Sequence, residues 1–149
     1  MRTCDGCTEC CTGTVSGEVN NIHFYKGRAC HYLSPGGCTI YEDRPEDPCK
    51  SFNCQWILDD ELPFWFRPDI SGLLISKRRK GDCEFYAALE TDKPMQAHVL
   101  NWLLLWTLRK GHNLVYSIQG GENRIGSTIF NNLNLEGSVN VRKSDTTEF

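Results

Sequence analysis

The chain predicts an α+β fold, in which a cysteine-rich, metal-stabilised amino-terminal part packs on a small antiparallel sheet with one long helix. Three observations lead there. Eight of the nine cysteines fall within the first 54 of 149 residues, near 15 % (8 of 54), above the ~8–10 % that marks a cysteine-built scaffold. From Pro63 onward cysteine nearly vanishes and strand-like alternation takes over. One stretch, from Met95 to Lys110, carries helical spacing between two sets of strands. The expected organisation is a cysteine-rich metal-binding region at 1–58, an antiparallel α+β unit at 59–140 and a frayed, patternless tail at 141–149, one compact domain in all.

Taken in order, the residues up to about Trp56 are short on aliphatics and rich in Cys, Gly, Thr and acids, so they cannot build an apolar core alone. Further on, Cys83, Phe85, Ala87 and Leu89 alternate with Glu84, Tyr86, Ala88 and Glu90, the period-two pattern of a half-buried strand. Ser71 to Ser76 precedes it, and the link Arg78 to Asp82 carries Gly81 for a tight turn, which predicts a hairpin. Thr91-Asp92-Lys93-Pro94 then supplies a cap and an early proline for a helix with Met95, Val99, Trp102, Leu103 and Trp106 on one face, closed by Lys110-Gly111. Its second apolar set, Leu100, Leu104 and Leu108, predicts cover on more than one side. Leu114 to Ile118 and Arg124 to Phe130 read as two more strands around a turn at Gln119 to Asn123.

A net charge of −3 argues against a grip on nucleic-acid phosphates, which needs clustered Lys and Arg. The most apolar stretch, Val99 to Leu108, is too short for a membrane span of ~20 residues, and Arg109-Lys110 ends it. No apolar segment precedes Cys4 and Cys7, so a secretory signal is not expected, and the reading is cytoplasmic. In a reducing cytosol, dense cysteine points to metal thiolates before disulfides.

The cysteines run Cys4-x2-Cys7-x2-Cys10-Cys11, then Cys30-x7-Cys38-x10-Cys49-x4-Cys54. A C-x2-C bite lets both sulfurs reach one metal at ~2.3 Å while turn amides point at them and stabilise the thiolates. Thiolate ligation suits zinc or an iron–sulfur cluster and excludes magnesium and calcium, which take oxygen ligands. Cys10 and Cys11 are neighbours, and adjacent side chains diverge by about 100° on a helix and nearly 180° on a strand. They are therefore expected to face two centres, or one centre and the core. Eight thiols divide into two four-cysteine sites; one centre with four spare thiols is the competing arrangement. Cys83 lies on the apolar face of a strand and reads as a core thiol. His31, beside Cys30, is a candidate substitute ligand; His23, His98 and His112 read as ordinary polar residues.

The cysteine run, with Cys30-His31-Tyr32-Leu33, Gly37-Cys38-Thr39-Ile40-Tyr41-Glu42-Asp43-Arg44-Pro45, Cys49-Lys50-Ser51-Phe52-Asn53-Cys54 and Trp56, resembles the YkgJ-type cysteine-cluster family, a zinc- or iron-chelating domain with a CxxCxxCC signature. The resemblance covers residues 4 to 56. It implies that Cys4, Cys7, Cys10, Cys11, Cys30, Cys38, Cys49 and Cys54 are the metal-binding set. The family is similar to the flagellin lysine methylases, whose relatives look like iron–sulfur proteins, and this favours an iron–sulfur cluster over zinc. Glu46 and Asp47 lengthen the stretch before Pro48-Cys49 relative to the family's spacing, so a helix carrying Cys49 and Cys54 would start late. Arg44 is expected to pair with Glu42 and Asp43, and Pro45 to sit in a first helical turn.

No GxGxxG, P-loop or GxSxG motif is present, so the chain is not expected to be an autonomous enzyme. The leading expectation is a redox or metal- and cluster-handling accessory protein. A structural zinc module is the second, offering a partner protein either the Trp102 and Trp106 helix or the run Phe64-Trp65-Phe66. A methyltransferase-related component is the third.

Overall fold

The computed structural model describes residues 2–3, 6–50, 52, 54–118 and 121–135. Cys4, part of the turn expected at 119–123, and the whole tail 141–149 lie outside the described residues or straddle their edge.

The α+β class holds. The amino-terminal segment is built of short pieces. A wide helical turn, Cys10–Thr14, leads into a hairpin of β1 (Gly17–Val19) and β2 (Ile22–Phe24). Both residues of its tip, Asn20 and Asn21, have positive φ, which asparagine tolerates and a two-residue hairpin turn requires. A second small hairpin pairs β3 (Leu33–Ser34) with β4 (Gly37–Cys38). A 3-10 turn at Tyr41–Asp43, a wide turn at Glu46–Lys50 and the short helix α1 (Gln55–Leu58) follow. Cys49 lies in that wide turn and Cys54 is the N-cap of α1, so the two belong to separate elements rather than to the one helix expected.

The second part holds a four-stranded sheet in the order β5 (Leu73–Lys80), β6 (Cys83–Glu90), β7 (Leu114–Ile118), β8 (Gly121–Ile125). A 3-10 turn, Phe64–Phe66, and helix α2 (Pro68–Ser71) lead into it. The chain turns sharply from α2 into β5 at Gly72, whose φ of 81° belongs to the left-handed region and whose missing Cβ leaves room for the Met95 backbone 3.0 Å away. The predicted hairpin forms, but β5 runs on through Arg78 and Lys80, and only Gly81-Asp82 turn. Cross-strand charge explains the longer strand: Arg79 stands opposite Glu84 and pairs with it at 3.7 Å, and Lys77 pairs with the same carboxylate at 3.3 Å. The sheet is not uniformly antiparallel. Helix α3 (Ala97–Lys110) carries the chain from the end of β6 back to its start, so β7 enters parallel to β6.

Two more expectations fail locally. The expected strand Arg124 to Phe130 divides: β8 ends at Ile125, and Thr128–Asn131 is a helical turn, α4, whose N-cap Ser127 accepts a hydrogen bond from the Phe130 amide at 3.2 Å. Helix α3 begins at Ala97, not after Thr91; the Thr91 hydroxyl instead accepts from the Lys93 amide in a local turn.

The sheet is covered on both faces. On one face Leu73, Ile75, Tyr86 and Ala88 pack against Val99, Leu103 and Trp106 of α3, with Trp56, Leu62 and Phe66. On the other face Phe85, Ala87 and Val115 meet Phe130 and Leu135 at one end, while Leu74 and Leu89 meet Val15 at the other. Helix α3 buries one face only, since Leu105 and Leu108 are more than half exposed. Trp102 and Trp106 turn inward; Trp65 and Phe66 pack on Trp102 with ring centres 6.0 and 5.3 Å away, leaving Phe64 outside. The described residues contain no helix long and apolar enough to cross a membrane.

Candidate metal centre

The cysteine segment makes up for its lack of aliphatics by borrowing the sheet. Val15, fully buried, sits on Leu74 and Leu89 with Cys10, Phe52 and Cys54 around it. Val19, Phe24 and Cys30 form a second small cluster, against which Cys11, Tyr32, Ile40 and Cys49 pack. Arg2 fastens the start of the chain: its guanidinium donates to the carbonyls of Trp56, Asp59 and Leu62 and lies over the Trp56 ring at 4.7 Å.

Between these clusters lies a cavity of about 340 Å³. Cys7, Cys10, Cys11, Cys30, Cys38, Cys49 and Cys54 all line it, together with Phe24, Tyr41, Trp56 and Leu74. Seven of the eight sequence-selected ligands thus face one space; the eighth, Cys4, lies outside the described residues. All seven are thiols.

Four of the cysteines are placed by local devices. The Cys11 amide donates to the Thr8 carbonyl at 2.8 Å, which closes the turn bearing Cys10 and Cys11. Gly13 lets that turn lie against the β2 end: its φ is 111°, and a Cβ there would stand 2.4 Å from the Tyr25 carbonyl oxygen. The Cys30 amide donates to the Cys11 carbonyl at 2.8 Å, tying the two early wall segments together. Cys38 closes the β3–β4 hairpin opposite Leu33.

Cys10 and Cys11 do not diverge as expected. Their sulfurs are 3.7 Å apart and face the same cavity. The divergence rule holds for regular helix and strand, whereas this turn carries non-helical backbone at Gly13.

The electrostatics are those of buried thiols. Burial pushes the Cys7 thiol up to about 11, and the nearby charges of Asp69 and Cys10 add to the effect. Hydrogen bonds from the backbone amides of Glu9 and Asp69 pull the other way, the amide-to-sulfur arrangement that stabilises a ligated thiolate. Glu9, itself buried, is raised to about 7 by burial and by neighbouring Asp92, and Lys93 opposes this from 3.3 Å. Arg67 and Asp69 form a two-pronged ion pair beside Gly6.

Arg44 departs from its expected role. It does not form a salt bridge with Glu42 or Asp43 among the described residues; it stacks over the Tyr41 ring at 3.8 Å, donates from Nε to the Tyr41 carbonyl, and lines the cavity. Sequence reasoning missed this cation because Glu42 and Asp43 were closer in the chain. His31 is exposed, its ring tilted against that of Tyr32, and it is not among the residues lining the cavity. Cys83 sits apart, against the Phe85 cluster and 3.5 Å from the Asn113 side-chain nitrogen.

The donor chemistry fits a thiophilic metal centre. The assembly is open: among the described residues no three of His, Cys, Asp or Glu already converge on one point as ligands of a single ion. No family model matches the chain, and neither a curated protein nor a solved structure shows a significant match to it, so the likeness to cysteine-cluster proteins rests on its motif residues alone.

Proposed function

We propose that this chain is a cytoplasmic metal-binding protein whose cysteines Cys4, Cys7, Cys10, Cys11, Cys30, Cys38, Cys49 and Cys54 hold a thiolate-ligated centre, an iron–sulfur cluster in preference to zinc, and that it serves redox or metal- and cluster-handling chemistry as an accessory protein. The observation behind the reading is that seven of these cysteines line one cavity of about 340 Å³. A single tetrahedral ion takes four ligands and closes around itself, so seven thiols around that much space favour a centre of more than one metal. When bound, such a cluster supplies reversible one-electron transfer at a potential set by hydrogen bonds to its sulfurs and by burial. The chain's own residues contribute the rest. The Glu9 and Asp69 amides point at Cys7, Arg44 brings positive charge to the cavity wall, and Phe24, Trp56 and Leu74 keep that wall apolar.

The deciding experiment is metal analysis by mass spectrometry on protein purified without oxygen, with its visible spectrum recorded alongside. Iron with matching sulfide and visible absorption is expected. Stoichiometric zinc in a colourless protein would move the assignment to the structural zinc module. Protein without metal under those conditions would overturn the reading.

A further inference from the structure

We infer that Cys10 and Cys11, adjacent in the chain, are ligands of one and the same metal ion. The inference rests on the metal-binding reading above and adds the pairing of its ligands. Two thiolates held ~2.3 Å from one tetrahedral ion lie roughly 3.8 Å apart. The Cys10 and Cys11 sulfurs are 3.7 Å apart and line the same cavity. They already stand at the bite of a tetrahedral ion, and among the described residues no third ligand is yet grouped with them.

The surroundings give the pair a purpose. Cys10 packs with Cys54 over Leu74 and Leu89, while Cys11 packs with Cys30 and Cys49 beside Val19 and Phe24. The pair therefore sits at the seam between two wall clusters. In an iron–sulfur centre bridging sulfides fill that ion's other two positions, whereas a lone ion takes one thiol from each side, Cys54 from the first wall and Cys30 or Cys49 from the second. Either way the pair holds the metal at the seam between the sheet-bound half of the segment and the hairpin half. Ligation breaks each S–H bond, releases the proton to solvent and forms a metal–sulfur bond, with no change in oxidation state. In a polynuclear centre the pairing specifies that one metal carries two protein thiolates, an arrangement that a cubane with one cysteine on each iron does not offer.

The test uses the reduced 149-residue chain loaded with cadmium-113, a tetrahedral thiophilic probe, and correlates cysteine β-protons with cadmium resonances by NMR. The β-protons of Cys10 and Cys11 are expected to correlate with the same cadmium resonance. Correlation with two different resonances, or of only one of the two residues, overturns the pairing and leaves metal binding intact; absence of any bound cadmium overturns both. Cobalt loading of Cys10→Ser, Cys11→Ser and the double variant supplies an independent measure. Each single change should remove one equal step of thiolate-to-cobalt absorption at unchanged cobalt content, and the double change two steps. Loss of a whole cobalt ion with only one of the two changes overturns the pairing.

Discussion

Leu74 on β5 stands directly opposite Leu89 on β6, and this cross-strand pair is the floor on which Val15 and Cys10 rest. The cysteine segment is thus anchored to the sheet through aliphatic contact that it could not assemble from its own residues. Trp56 continues the attachment on the opposite face of the sheet, in the core shared with α3.

Leu74→Ala is therefore expected to cost about 2–5 kcal/mol, the range for deleting a buried leucine side chain. Its diagnostic effect is local: thiol labelling of Cys10 and Cys54 should accelerate more than labelling of Cys83. Denaturant unfolding and mass-spectrometric mapping of labelled cysteines measure the two effects. Uniform acceleration at all three thiols would show that the anchor is not local.

Gly13→Ala should destabilise the turn that carries Cys10 and Cys11. An alanine at a φ of 111° is strained, and its Cβ would stand 2.4 Å from the Tyr25 carbonyl oxygen, so the backbone must move. A loss of roughly 1–3 kcal/mol is expected from a forced backbone conformation of this kind, together with weaker metal retention. Thermal unfolding and a chelator-competition assay check it; unchanged retention would separate the turn from the centre.

Metal removal should expose the amides of the cysteine segment while β5 and β6 keep theirs. Binding energy in a segment without its own core is folding energy, whereas the sheet is packed on both faces by clusters such as those of Phe85 and Leu103. Chelation followed by hydrogen exchange reads this directly. Equal loss of protection in both parts would show that the two fold as one unit.

His112 gives the chain a pH response apart from the thiols. Burial holds its pKa below the usual value, and its ring lies against Tyr86 and Trp106, centres 4.8 and 4.9 Å away. The charges of Lys77 and Lys110 push it the same way, against Asp59 and Glu61. The folded chain therefore binds this proton less readily than the unfolded chain. The contribution of neutral His112 is complete above the unfolded pKa of about 6.5 and is lost as pH falls below it. His112→Gln should flatten the stability profile between about pH 7 and pH 5 in chemical denaturation. A slope unchanged by the substitution would assign the response to other groups.

The long strands, the hairpin around Gly81 and the body of the helix up to Lys110 were legible in the sequence because each carries a local periodicity, although the strands are buried on both faces and the helix start was not legible. The cysteine spacing likewise selected the thiols that line the cavity, since chain length limits which sulfurs a short loop can bring together. What the sequence left open was set by contacts between distant residues. The basic run Arg78 to Lys80 is strand rather than turn because Glu84 stands across from it. β7 runs parallel to β6 because α3 returns the chain to the start of β6 before it re-enters the sheet. Arg44 lines the cavity with its guanidinium stacked on Tyr41 rather than paired with its acidic neighbours. The Cys10 and Cys11 sulfurs meet because an irregular turn, closed on Thr8 and opened at Gly13, overrides the divergence that regular backbone would impose. Periodicity is a property of neighbours in the chain, and the sequence by itself determines it. Pairing, crossover and convergence depend on partners tens of residues away, and only the folded chain decides them.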